Sequence, residues 1–141
     1  MAAFVKYDQF AVDLAAGVHV LTTAGSLLKI ALSNTAPTVA TDALLSDAAE
    51  IAYTNCDLVA QQDTQNTGSE TPPGTWDVPG IDIVLNATGA VATFRYVILY
   101  NDTPTSPADP LIGYWDYGSG VTLANGETFT VNFGASMFTI T

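Results

Sequence analysis

His19, Cys56 and a scatter of carboxylates are the residues of this chain whose types could do chemistry. A hydrolytic or nucleophilic mechanism needs a base near neutrality, and His19 is the one side chain that titrates there unperturbed. It lies between Val18 and Val20 with no serine or cysteine motif beside it. It is therefore expected to be a structural or surface histidine. Cys56, in Tyr53-Thr54-Asn55-Cys56-Asp57, lacks the Cys-x-x-Cys or glycine-rich surroundings that tune thiols, and reads as a small buried hydrophobe. Asp116 between Trp115 and Tyr117 has the composition of a sugar cleft, where paired carboxylates would cleave a glycoside. Acidic and aromatic residues coexist in many strands, so no glycosidase is expected. Asn101-Asp102 with Asp109 is rich in oxygen ligands for Ca²⁺ but lacks EF-hand spacing, and a solvated loop is the expectation. The chain is thus expected to be no enzyme and to carry no cofactor and no metal.

The elements that would hold these residues are strands. Residues 92–100 are β-branched and aromatic almost throughout. Residues 111–117 and 127–133 repeat the pattern, with Asn101-Asp102 and Asn125-Gly126 between them as turn signals. In the first of these, Phe94, Tyr96, Ile98 and Tyr100 alternate with Arg95, Val97 and Leu99. Both faces are apolar enough for a central strand. Arg95, the one guanidinium, then needs a carboxylate, and Asp82 on the preceding strand is expected to supply it. In the next strand Ile112, Tyr114 and Asp116 alternate against Leu111, Trp115 and Tyr117, with Gly113 as a bulge or a point of close approach. Val121 to Leu123, Asn125-Gly126 and Glu127 to Phe133 form a strong hairpin signal, with Phe129, Val131 and Phe133 facing inward.

Further strands are expected at residues 27–32, 80–86 and 137–140, with shorter ones at 18–22, 51–53 and 58–60. Tyr7, Phe10, Ala11 and Leu14 fall on one face of a short helix closed by Gly17. Phe10, Val12 and Leu14 also alternate as in a strand; the helix is favoured. Residues 42–50 suit one or two helical turns. Residues 61–76 open with the most polar run of the chain, expected to be a contact loop. Trp76 just beyond that run is read as a lid on the core, or else as an exposed anchor. Residues 101–110, with three prolines, are expected to stand out from the sheet as an extended loop. Seven or eight strands, no long helix and no βαβ rhythm indicate an all-β fold. The expected form is a single-domain β-sandwich over residues 1–141, immunoglobulin-like or jelly-roll in type.

Composition narrows the partners. Fourteen carboxylates against Lys6, Lys29 and Arg95 give a formal charge of -11, which argues against nucleic acid, whose phosphates need Lys and Arg. The acids arrive singly, as a solvated and self-repelling surface would have them. Charged residues are only 12% of the chain, so much of its polarity is Thr, Asn, Ser and Gln, which suit hydrogen-bonded packing against a neighbour. No run approaches the ~20 apolar residues of a membrane helix, and the N-terminal residues lack a basic region followed by a long apolar run. Synthesis and folding in a cytoplasm, with Cys56 free, are expected. The Asn-x-Thr matches at Asn86 and Asn101 then carry no glycosylation meaning.

Residues 28–37 (Leu-Lys-Ile-Ala-Leu-Ser-Asn-Thr-Ala-Pro), 94–102 (Phe-Arg-Tyr-Val-Ile-Leu-Tyr-Asn-Asp), 111–118 (Leu-Ile-Gly-Tyr-Trp-Asp-Tyr-Gly) and 126–131 (Gly-Glu-Thr-Phe-Thr-Val) together resemble small structural proteins of tailed-bacteriophage virions. The most similar group is the capsid decoration, or cement, proteins. The similarity touches about a quarter of the chain and is one of phrases rather than of a catalytic signature. It implies a protein made in the host bacterial cytoplasm that coats the major capsid protein lattice beside neighbouring copies of itself. Multivalency there multiplies modest contacts. The contact surfaces expected are the N-terminal segment, the 61–76 loop and the 101–110 loop, with Tyr7, Phe10, Gln62, Asn66, Trp76, Asn101, Asp102 and Asp109 as candidate interface residues. The alternative is a tail or fibre component that binds another virion protein, or a host glycan through Trp76, Trp115 or Tyr117.

Overall fold

Strand-forming residues run unbroken through the centre of the computed structural model, which describes residues 2–22, 25–58, 63–64 and 66–141. Its elements are β1 (Phe4–Lys6), α1 (Asp8–Ala15), β2 (Leu28–Ser33), a 3-10 turn (Leu45–Asp47), β3 (Ser69–Thr71), β4 (Thr75–Val78), β5 (Ile83–Asn86), β6 (Phe94–Asn101), β7 (Leu111–Val121), β8 (Thr128–Val131) and β9 (Phe138–Ile140). Every ladder is antiparallel. They build a four-stranded sheet in the order β1-β7-β6-β2, a three-stranded sheet β3-β4-β9 and a two-stranded sheet β5-β8. The fold is all-β with one short helix.

β6 is central because both its faces are apolar. Val97 and Leu99 join Leu28, Ile30 and Leu32 of β2, and Ile112 and Trp115 of β7, in the main core. That core is closed by Phe10 of α1 and by residues of the smaller sheets, among them Val78, Ile83, Leu85, Val131 and Phe138. Aromatic pairs tie the sheets together: Phe94 meets Phe129 edge-on at 5.1 Å, Trp115 lies 5.4 Å from Phe133, and Phe4 stacks on Phe138 at 5.0 Å. On the opposite face Ile98, Tyr100, Ala31, Leu111 and Tyr7 form a second cluster, covered by Val39, Leu45 and Ala48.

Strict alternation fails at two places in the β6–β7 ladder. Phe94 pairs with Val121 but Tyr96 pairs with Asp116, so β7 carries extra residues opposite Arg95. Gly118, at φ +94°, makes the bend there. As a result Phe94 turns into the main core with Val97 and Leu99 rather than sharing a face with Tyr96. A second shift, between Leu99 and Tyr100, puts Ile112 with Trp115 in the main core and Leu111 with Tyr114 in the other cluster. The expected grouping of Ile112 with Tyr114 is corrected accordingly. Gly113 is the point of close approach: a β-carbon there would run into the Phe4 ring and lie 2.7 Å from the Val5 carbonyl oxygen. Gly113→Val is expected to displace β1 and cost about 1–3 kcal/mol, read as a lowered urea midpoint at unchanged slope.

Local signals misplace several segments. The Asn125-Gly126 turn forms, with Glu127 N–H donating to Ala124 O at 3.0 Å, but the expected hairpin does not. β8 pairs with β5 instead, and Leu123 O accepts from Val91 N at 3.0 Å. Residues 18–22 make no strand, because Val18 N–H donates to Asp13 O and Val20 N–H to Ser26 Oγ. Residues 51–53 cover the edge of β2 without forming a ladder: Ile51 N–H reaches Leu32 O, and Leu32 N–H reaches the Tyr53 hydroxyl at 3.0 Å. Leu58 is buried outside any strand, and residues 59–60 lie outside the described part. The short helix is α1, and the helical turn expected within 42–50 is the 3-10 turn.

Candidate functional site

Four of the eight candidate contact residues, Tyr7, Phe10, Asn66 and Asn101, are interior. Tyr7 is wholly buried in the second cluster and Phe10 in the main core; the face they share on α1 and its cap is the face that packs. Asn66 is buried too, and in its neighbourhood Thr64 N–H donates to Leu28 O and Thr67 N–H to Pro79 O. The described part of the 61–76 loop is thus tied to β2 and to the turn before β5. Gln62 lies outside the described residues. Trp76 is half-buried against the core, and its Nε1–H donates to Leu21 O at 2.8 Å. Asp102 is exposed and paired with Lys29 at 2.8 Å. Asp109 is half-buried; desolvation, then the charge of Asp102 and a hydrogen bond with it, push its carboxyl above the usual range. The 101–110 loop is tied at its base, Asp102 N–H to Leu27 O and Asn101 N–H to Pro110 O, and turns on itself where Thr105 bridges to Ala108.

Asn101 is fully buried because it joins segments distant in sequence. Its Nδ2 donates to His19 Nδ1 at 3.1 Å and to Ser26 Oγ at 3.0 Å, while its Oδ1 accepts from Thr103 N at 3.1 Å. Accepting at Nδ1 leaves the ring proton of neutral His19 on Nε2. The ring is 3% exposed and lies 5.2 Å from Phe10. Burial drives its pKa down to about 4, against the opposing pull of Asp13. A neutral imidazole that spends its lone pair on an asparagine amide is a latch between the α1–β2 connection and the end of β6, not a general base.

The remaining reactive candidates do not converge. Arg95 pairs with Asp116, at 2.7 Å and 2.9 Å, and not with Asp82, whose Oδ1 accepts from Phe133 N at 2.9 Å. The cross-strand register explains the correction: Asp116 faces Tyr96 directly across the β6–β7 ladder. The Arg95 guanidinium, and then the Gly118 N–H, hold the Asp116 carboxyl below the usual range, so it is no proton donor. Trp115, 3% exposed, packs into the main core with Phe133. Cys56 is half-buried against the same core. Among the described residues no three His, Cys, Asp or Glu side chains gather as a metal site, and no helix is long and apolar enough to cross a membrane.

The feature that residue-by-residue reading missed is a groove of about 300 Å³. Its floor is Val97, Trp115 and Tyr117 of the large sheet, its wall is residues 129–132, and Ala2 also lines it. Tyr117, 58% exposed, meets Phe129 edge-on across it at 5.5 Å. The signal lay in the inward alternation of Phe129 and Val131 and in the shared face of Trp115 and Tyr117. It became a groove only because β8 pairs with β5. Comparison of the chain with family models, curated proteins and solved structures gave no match.

Proposed function

We propose that this protein is a non-enzymatic structural component of a tailed-phage virion, a decoration protein that binds the outside of the capsid and reinforces the major capsid protein lattice. The observation that carries the reading is where the phage-like phrases fall. Residues 28–37, 94–102, 111–118 and 126–131 contain β2, β6, most of β7 and β8, which make up much of the framework around the main core. A similarity centred on framework strands is what a family of adhesive plates would share, since their task is to stay folded and present edges and loops. The finer fold reading belongs to the same proposal: the four-stranded sheet and the two smaller ones act as the layers of a β-sandwich, supported by the core between them. The accessible candidates for the capsid contact are the tip of the 101–110 loop, Asp102 and the β3–β4 hairpin with Trp76 at its base.

The test is addition of the purified protein to undecorated, expanded heads of the phage that encodes it. Expected are saturable binding at a copy number that matches the shell lattice and heads that resist heating better. Absence of binding, with attachment to tails instead, would favour the tail-component reading. A glycan reading is weakened by the burial of Trp115 and the half-burial of Trp76, which leave Tyr117 as the exposed ring of the three.

A further inference from the structure

The groove beside β8 is bordered by a strand edge. Four consecutive residues, 129–132, line it, as happens when backbone rather than one face of a strand forms the wall. The hydrogen-bond phase agrees. Ala87 N–H donates to Glu127 O, while Asn86 N–H, one residue earlier, donates away from β8 to Asp57 Oδ1 at 2.7 Å. In an antiparallel pair such bonding alternates, so Leu85–Phe129 and Ile83–Val131 exchange bonds and Val84–Thr130 does not. The N–H and C=O of Thr130 therefore point away from β5, toward the groove. Two other edges are covered: β2 by residues 50–53 and by Asp63 and Thr64, and β5 by Asp57 and by Cys56 bridging to Ala87. The outer edge of β8 carries no charged residue, proline or covering segment of that kind among the described residues.

We infer that this groove accepts an extended, basic peptide segment from a partner protein, which pairs with β8 and makes the β5-β8 sheet three-stranded. The unpaired edge specifies an extended backbone, since only a strand returns alternating donors and acceptors to it. The floor of Val97, Trp115 and Tyr117 specifies apolar side chains at the alternate positions facing the large sheet. The residues that line the groove are uncharged, so charge selection comes from the chain as a whole: its net charge of -11 favours lysine and arginine at the solvent-facing positions and disfavours a second copy of the same acidic chain. The inference is separate from the capsid reading, because a strand can dock here whatever larger assembly the protein serves.

The experiment uses a short blocked peptide of alternating valine and lysine as the probe, with the full chain as receptor, followed by calorimetry and amide hydrogen exchange. Expected are one site per chain and slowed exchange at Thr130 and Asn132. Methylating the backbone nitrogens along one edge of the peptide should weaken binding by roughly three- to tenfold or more while leaving its charge unchanged. Thr130→Pro removes an N–H that β5 does not use, so the fold should survive with binding lost; Tyr117→Ser, at the exposed part of the floor, should weaken binding without touching the ladder. Equal binding of methylated and unmethylated peptides, or protection spread over the acidic surface, overturns the inference. So does concentration-dependent protection of Thr130 without peptide, which would make a second copy the occupant.

Discussion

Replacing Asn101 by leucine is expected to lower the unfolding free energy by about 3 kcal/mol or more. Leucine keeps the branched shape and the number of side-chain heavy atoms but is bulkier, so some overpacking adds to the loss of hydrogen bonds. Leucine removes the donor to His19 Nδ1 and one of the two donors to Ser26 Oγ, leaving that hydroxyl only the Val20 N–H, and it removes the acceptor for Thr103 N–H. His19 and Ser26 are buried, so water does not replace the partner they lose, whereas Thr103 is exposed and its N–H can turn to solvent. Asn101→Asp gives a different result. Its carboxylate keeps an acceptor for Thr103 and offers a second oxygen to the ring, so His19 would switch its proton to Nδ1 and titrate at higher pH. Urea unfolding of both variants, with the ring titration followed by NMR, is the check. A loss below about 1 kcal/mol for Asn101→Leu would show that the cluster does not hold the fold together.

That cluster was out of reach of the sequence for a physical reason: His19 and Asn101 are 82 residues apart, and neither carries a motif. What could be read was local. The mixture of β-branched and aromatic residues on both faces made β6 a central strand, and the structure has it between β2 and β7. The 3.6 period placed α1 within its expected span, yet the same period that puts Tyr7 and Phe10 on one face is the usual mark of a packing face, and both rings are buried. Pairing choices beyond the nearest turn were not legible. Asn125-Gly126 specifies a reversal of the chain, but which strand β8 then joins depends on where Phe129 and Val131 find an apolar surface. They find it over Phe94, Trp115 and the β5 side chains, so β8 leaves its sequence neighbour for β5. Likewise Asp82 was the acid on the strand that precedes Arg95 along the chain, while the β7 bulge brings Asp116 to it in space.

Stability is expected to fall with acid in a window set by His19. The unfolded side chain protonates near 6.5, whereas the folded one does so only at about 4, because burial penalises the imidazolium. Above about pH 6.5 neither state binds the proton and the group contributes no slope. Between 6.5 and 4 the unfolded chain takes up a proton that the folded chain refuses, so stability declines as pH falls, by about 3 kcal/mol across the window. Below about 4 both states are protonated and the slope ends. Protonation also turns His19 Nδ1 from acceptor into donor, facing the Nδ2 donor of Asn101, so the latch itself opens there. Other groups titrate nearby with opposite signs: the Arg95 partner Asp116, with a lowered carboxyl, loses stabilising contacts at low pH, while the raised Asp109 gains. A difference measurement separates them. His19→Gln keeps an acceptor for Asn101 and is neutral at every pH, so the native-minus-variant stability should fall by about 3 kcal/mol between pH 6.5 and 4 and be flat above that range. A flat difference curve throughout, or a histidine resonance titrating near its free value in the folded protein, would mean that the ring is solvated and that no buried latch joins the α1–β2 connection to the end of β6.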